Sequence, residues 1–220
     1  HRRQVQLNLA DIHFDLGEYG LALGLYQQTV GNADEDGSVW RRIARCHRRQ
    51  GESGKALTIL QEVAANEPQA ADLDSLSLTI ADLLATLDRP AEAARQYLLV
   101  SRELSHSPLA TTAALKAANL HFEMEQYAEA YQIFEPVLRR VEDEEVHARA
   151  VLSLFRGAET DRARKKAKGF GKRFGKQSTW RQLFQLEEAQ YLLGTKAYDP
   201  ALKIFREVAA GGGPWASEGA

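Results

Sequence analysis

Five arginines, Arg41, Arg42, Arg45, Arg48 and Arg49, lie within a single short stretch of the chain. On a helix turning about 100° per residue they fan over an arc of about 120°, so their guanidinium groups share one surface. Like charges on successive turns repel by about a few tenths of a kcal/mol for each i,i+4 pair. Carboxylates must offset that repulsion, and there are two sources. Neighbouring segments of the same chain can supply them as solvated ion pairs. A second protein can also supply them, each carboxylate gripped by a guanidinium fork. Both readings stay open.

The second concentration of charge is Arg162, Arg164, Lys165, Lys166, Lys168, Lys172, Arg173 and Lys176, with Phe170 and Phe174 between the cations. Cations that hold phosphates beside rings that stack on bases would suit nucleic acid, and the same charges suit an anionic membrane surface. A solvated basic helix partly neutralised by Glu142 to Glu145 is the alternative. The glycines here do not form a phosphate loop. That motif needs four residues between its first glycine and a Gly-Lys-Ser/Thr, whereas five separate Gly169 from Gly175, and Gln177 follows Lys176.

Other chemistry is poorly supported. His13, His47 and His121 recur at one position of a repeating pattern, which sends them into separate inter-helix contacts rather than to one metal. No Cys/His grouping has zinc spacing. The single cysteine, Cys46, cannot make an internal disulfide. No cofactor and no enzymatic activity are expected. The 28 basic and 30 acidic residues nearly cancel, so any electrostatic recognition is local. No apolar run reaches transmembrane length. The sequence opens on His1 without an initiator Met, as an excised piece of a longer protein would.

What positions these groups is a run of helix pairs. Trp40, Ile43, Ala44 and His47 recur at i, i+3, i+4 and i+7, which predicts an amphipathic helix with these four residues inside. Gly51 ends it, Ala56, Leu57, Leu60 and Val63 mark a second helix, and Pro68 stops the pair. The pattern returns with Leu9, Ala10, His13, Gly17, Tyr19, Ala22 and Tyr26. It returns again with Ile80, Ala81, Leu84, Asp88-Arg89-Pro90, Ala93 and Tyr97, then with Ala117, Ala118, His121, Glu125-Gln126, Tyr127, Ala130 and Phe134. The alanines Ala22, Ala56, Ala93 and Ala130 let paired backbones approach. Pro136 should kink its helix or remove a hydrogen bond. Asp34-Glu35-Asp36-Gly37 reads as a polar connector. Beyond Glu145 the pattern loosens: Val146 to Phe155 is a helix closed by Gly157, Arg162 to Lys168 a short basic helix with Ala163 as the matching alanine, and the stretch from Gly169 too glycine-rich for a helix interior. Ala189, Leu192, Tyr198, Ala201, Phe205 and Val208 restore it, and Gly211 to Trp215 ends it.

This alternation of large and small residues resembles the tetratricopeptide repeat. The resemblance implies an all-α fold, an α-solenoid of stacked antiparallel helix hairpins forming a right-handed superhelix, with first helices lining the concave side. The expected layout is one solenoid over 1–220: four regular repeats in 3–144, a degenerate basic repeat in 145–181, a further repeat in 182–215 and the start of another helix in 216–220. Such a fold is non-catalytic and presents a groove to a peptide or helix of a partner protein, within a larger assembly.

Placed on that framework, Leu7, Phe14, Leu78, Leu115 and Phe122 join Arg41, Arg45, Arg48, Arg49 and Asn119 on the groove side. Apolar side chains around arginines suit a partner segment carrying acidic and apolar residues. Asp11, Arg45, Asp82 and Asn119 share one position of successive first helices, so Arg45 can instead sit between carboxylates. The carboxylate clamp of chaperone-binding relatives is not reproduced: Thr79 stands where asparagine is needed, Thr112 where lysine is, and only Lys116 fits. A nucleic-acid or anionic-membrane adaptor working through residues 162–176 is the alternative function, with nucleic acid the less favoured partner. The segment Ala189 to Ala220 also resembles units of bacterial cell-envelope tetratricopeptide proteins, which favours the bacterial periplasm or cell envelope over the cytoplasm.

Overall fold

The computed structural model describes residues 1–30, 37–67, 72–175 and 178–211. Asp34-Glu35-Asp36 of the connector, Pro68, Lys176, Gln177 and everything from residue 212 onward, including the end of the last repeat and the helix expected at 216–220, lie outside the described residues. Among those described there are twelve α-helices and no strand. In order they are α1 (Arg2–Asp15), α2 (Tyr19–Thr29), α3 (Ser38–Arg49), α4 (Ser53–Asn66), α5 (Leu73–Thr86), α6 (Pro90–Glu103), α7 (Ala110–Glu123), α8 (Tyr127–Val137), α9 (Glu144–Arg156), α10 (Thr160–Arg173), α11 (Thr179–Gly194) and α12 (Tyr198–Ala210). The fold class is an all-α solenoid of helix hairpins. The chain divides into two compact units, His1–Ala113 and Ala114–Ala220. In the first, α1 packs on α2, α3 on α4 and α5 on α6, while α2 meets α3 and α4 meets α5. In the second, α8 meets α9, α9 packs on α10 and α11, and α11 packs on α12.

Each hairpin turns by the same device. The amide of Glu18 donates to the His13 carbonyl, and the pattern repeats at Glu52–His47, Arg89–Leu84, Gln126–His121, Glu159–Leu154 and Ala197–Leu192, at 2.8 to 3.0 Å. This is the 6→1 bond of a Schellman cap, which requires a left-handed residue one position earlier. Gly17 and Gly51 supply it in the first two turns, and Asp88, Glu125, Ala158 and Lys196, with φ between 57° and 63°, supply it in the others. Gly157 ends α9 as expected, as its C-cap with φ −79°, and the left-handed residue follows it at Ala158. A β-carbon at Gly157 would meet the Ser153 carbonyl oxygen at 2.8 Å, so this glycine answers crowding rather than handedness. Ala158 has no local side-chain bond to offset its left-handed conformation. Ala158→Gly is therefore expected to stabilise the protein by about 1 kcal/mol, and Gly51→Ala to destabilise it by about as much. Urea midpoints at unchanged slope check both.

The alanines behave as spacers. Ala22, Ala56, Ala93, Ala130, Ala163 and Ala201 are all buried, and so are Ala10, Ala44, Ala81, Ala118 and Ala189 on the facing first helices. In the fifth hairpin Val151 takes the first-helix position and is buried too, which is why that unit looked degenerate. Trp40 corrects the sequence reading, being 39% exposed. The buried arc of α3 is Val39, Ile43, Ala44, Cys46 and His47, and Val39 fills the inward place assigned to the indole. Cys46 is buried, and burial pushes its thiol up to about 11.

Two further expectations change. Helix α10 continues through Gly169 and Gly171 to Arg173. Phe170 is buried against Phe184 (centroids 5.1 Å apart) and Phe174 (4.9 Å), and this packing outweighs the cost of about 1 kcal/mol per glycine. A β-carbon at Gly171 would lie 3.4 Å from Arg181 Nε, so the glycine also lets α11 approach. Pro136 falls in the last turn of α8, which ends at Val137, so its lost hydrogen bond sits where the helix stops anyway.

The histidines are clasps, and His47 is buried as well. His13, His47 and His121 occupy the same cap position, and each Nδ1 donates across its own turn, to Glu18 (2.5 Å), Glu52 (2.6 Å) and Gln126 (2.7 Å). Lys55 and His47 together hold the Glu52 carboxyl below its ordinary range. The other three turns carry Leu84, Leu154 and Leu192 there. Tyrosine and aspartate alternate similarly. Tyr26 on α2 donates to Asp11 on α1 at 2.5 Å, and Tyr97 on α6 donates to Asp82 on α5. Burial, then the carboxylate bond, raises both phenols above their ordinary range.

Candidate functional site

In the first unit the arginines of α3 separate into two groups. Arg41 pairs with Glu67 at 2.7 Å and Asp72 at 3.3 Å, and Arg42 pairs with Asp11 at 2.6 Å. The carboxylate that Arg45 was expected to share is thus taken by Arg42, one turn earlier. The Arg45 guanidinium lies over the Phe14 ring, 4.6 Å from its centroid. Arg45, Arg48 and Arg49 are exposed and make no ion pair among the described residues.

Arg41, Arg45 and Arg48 form one wall of a cleft of about 190 Å³ between α3 and α5. Its floor is Ala44, Leu60, Leu76 and Leu83, and its far wall carries Asp72, Ser75 and Thr79. Thr79 Oγ1 donates to the Ser75 carbonyl at 2.9 Å. Beside it, bonds from Ser107 (2.5 Å) and from the Ser75 amide (2.7 Å) hold the Asp74 carboxyl below its usual range, fixing the start of α5. With Arg41 held by Glu67 and Asp72, Arg45 and Arg48 are the two cations left over above a leucine floor, an arrangement that can hold a carboxylate-bearing apolar segment.

The other residues assigned to a groove are distributed differently. Leu7 and Phe14 are 9% exposed and belong to the core with Ala10, Ala22, Tyr26, Val39, Ile43 and Cys46. That corrects their placement on an open face, because α3 closes over them. Arg49 and Leu78 do not line the cleft. In the second unit Leu115 is half-buried. There Asn119 Oδ1 accepts from Arg149 Nη1 at 3.2 Å. Phe122 packs edge-on to Tyr127 (5.4 Å) and lies under the Arg156 guanidinium (5.3 Å), which in turn binds Glu187 at 2.7 Å. Leu60, Leu76, Leu83 and Ser75 were missed as site residues, since spacing alone marks such leucines only as core.

Much of the charge on α10 is internally matched. Arg162 binds Glu135 and Glu159 at 3.1 Å, Arg164 binds Glu188 (2.7 Å) and Asp161 (3.2 Å), Lys166 reaches Glu135 at 3.5 Å, and Arg173 binds Glu142 at 2.6 Å. Lys165, Lys168 and Lys172 make no ion pair among the described residues. Phe170 is buried and Phe174 packs on it and on His147 (5.1 Å), so the rings expected to stack on bases are spent inside the unit. Among the described residues no group of three or more His, Cys, Asp or Glu could hold a metal, and no helix is long and apolar enough to cross a membrane.

Residues 7–71 match the tetratricopeptide repeat family. Solved structures share the fold. A crystal structure of MamA superposes with a TM-score of 0.61 at 11% identity, over 78% of this chain and 91% of that one. PilF of Pseudomonas aeruginosa gives 0.54 at 16% identity over 98% and 95%. A tetratricopeptide repeat protein from Parabacteroides merdae gives 0.52 at 16% over 99% and 82%. No curated protein matches in sequence. The tetratricopeptide match covers residues 7–71, and the likeness to the solved structures extends the same fold over the rest of the chain.

Proposed function

We propose that the protein is a non-catalytic interaction scaffold within a larger assembly, and that the α3–α5 cleft takes a peptide or helix of a partner bearing acidic and apolar residues. The observation that carries this reading is the exposure of Arg45 and Arg48, without ion-pair partners among the described residues, at the edge of the Leu60–Leu76–Leu83 floor. Guanidinium groups grip partner carboxylates while the floor receives their apolar neighbours. Arg45→Glu/Arg48→Glu is the informative variant, since neither residue supports the fold through an ion pair. Peptides selected for binding from a random display library are expected to carry Asp or Glu beside apolar residues and to bind this variant at least about tenfold more weakly, the scale of one lost charge-assisted contact. Helicity should stay unchanged, and stability should fall by no more than the lost Arg45–Phe14 ring contact, about 0.5–1 kcal/mol. Equal affinity for both forms would refute the assignment.

The unmatched Lys165, Lys168 and Lys172 support a second reading, in which α10 meets an anionic surface. With the aromatic rings buried, anionic membrane is the better candidate. Vesicles containing anionic lipid should retain the protein, and Lys165→Glu/Lys168→Glu/Lys172→Glu should release it. A cell-envelope setting is part of the same proposal. It rests on the resemblance of the last repeat to envelope proteins, and fractionation of the native host would test it.

A further inference from the structure

A cavity of about 710 Å³ opens in the second unit between α8, α9 and α10. Its floor is apolar: Leu138, Ala150, Val151 and Phe170, the last three buried. Its walls carry Arg139, just beyond the end of α8, and Arg162, Lys165, Lys166 and Arg173 on α10. Among the described residues that line it, Glu135 is the single carboxylate. That group already accepts from the Tyr131 hydroxyl at 2.8 Å, Arg162 at 3.1 Å and Lys166 at 3.5 Å. The phenol bond first, and then the two cations, hold its carboxyl below the usual range. Glu159 and Glu142 reach Arg162 (3.1 Å) and Arg173 (2.6 Å) from outside the cavity. Five cations therefore face three carboxylates, and the exposed Arg139 and Lys165 are the two left without an ion pair among the described residues. His147 adds a ring to the wall but no charge at neutral pH, because burial lowers its pKa.

Surplus positive charge around an apolar hollow is neutralised by an anion that enters it. A cavity of this size takes an organic molecule rather than a bare ion. Guanidinium forks and ammonium groups suit phosphate oxygens, while the floor receives a part without charge. A bilayer fits less well, since it meets cations on an outward face and these surround a hollow. Lys168 and Lys172, which serve the membrane reading, line a different cavity on the other side of α10. We propose that the α8–α9–α10 cavity binds an organic polyphosphate, its phosphate groups held by Arg139, Lys165 and their α10 neighbours and its apolar or aromatic part laid on the floor. This site is independent of the α3–α5 cleft.

Calorimetric titration of the full chain with ATP, with coenzyme A and with inorganic tripolyphosphate at physiological salt tests it. At least one of the two organic probes should bind saturably, about tenfold or more tighter than tripolyphosphate. Arg139→Ala/Lys165→Ala should weaken that binding by about tenfold or more. Lys168→Ala/Lys172→Ala removes the same charge from the other side of the helix and should change it by less than about threefold, because salt screens distant charges. Neither pair supports the fold through an ion pair, so far-ultraviolet spectra should match the wild type. Vesicles containing anionic lipid should not displace the bound probe. No saturable binding of either organic probe, equal binding of tripolyphosphate, equal losses in the two double variants, or displacement by the vesicles would each overturn the proposal.

Discussion

Truncating Phe134 to alanine is expected to lower stability by about 4 kcal/mol, the largest single-residue effect in the molecule. The ring has no solvent exposure and sits on α8 beside the spacer Ala130, at the position where Tyr26 and Tyr97 stand in other hairpins. Most of a small domain's stability is of that order, and neighbouring hairpins cannot collapse into the void without moving helix axes held by buried alanines. Tyr26→Phe offers the contrast: it keeps the ring and removes only the hydroxyl that reaches Asp11, so a loss of about 1.5 kcal/mol is expected. Urea titrations followed by circular dichroism should place the two variants in that order. A Phe134→Ala midpoint near wild type would mean that the α8–α9 packing does not carry the second unit.

Arg41→Ala should be the more damaging of the changes at the cleft, costing about 2 kcal/mol. Glu67 is mostly buried and lies so close over Gly37 that a β-carbon there would be 2.5 Å from its Oε1. Removing the guanidinium leaves that carboxylate without its charge partner. The cost lies below the range for a fully buried pair because both side chains keep some contact with water. Both carboxylates meet the one Nη2 of Arg41, so Arg41→Lys, which keeps the charge on a shorter side chain, should recover part of it. Thermal melts of Arg41→Ala beside Arg45→Glu/Arg48→Glu therefore separate support from recognition. The first should fall clearly further than the second, which loses only the Arg45–Phe14 ring contact.

The hairpin framework was legible because it rests on local rules: an alanine where two backbones cross, a histidine or leucine at the cap, and glycine where the chain turns left-handed. Where the same turn uses Asp88, Glu125, Ala158 or Lys196, residue type gives no signal, and the turn shows itself only in the backbone. Trp40 was misplaced because size and helical phase both pointed inward, while Val39 already filled the place. The arginine cluster was visible, but its division was not. Arg41 finds Glu67 and Arg42 finds Asp11 across whole helices, and only folding decides which guanidinium groups are left over. Leu7 and Phe14 show the same limit, since a column of apolar residues reads alike whether the next hairpin covers it or leaves it open.

The most direct test of the cleft is a side-chain NMR titration of the arginine Nε–Hε groups and leucine methyls with a display-selected acidic peptide. Saturable shifts at Arg45 and Arg48 together with Leu60, Leu76 and Leu83, absent at Arg102 and Arg139, are the expected result. Shifts confined to α10, or a bound peptide that leaves Arg45 and Arg48 unperturbed, would contradict it.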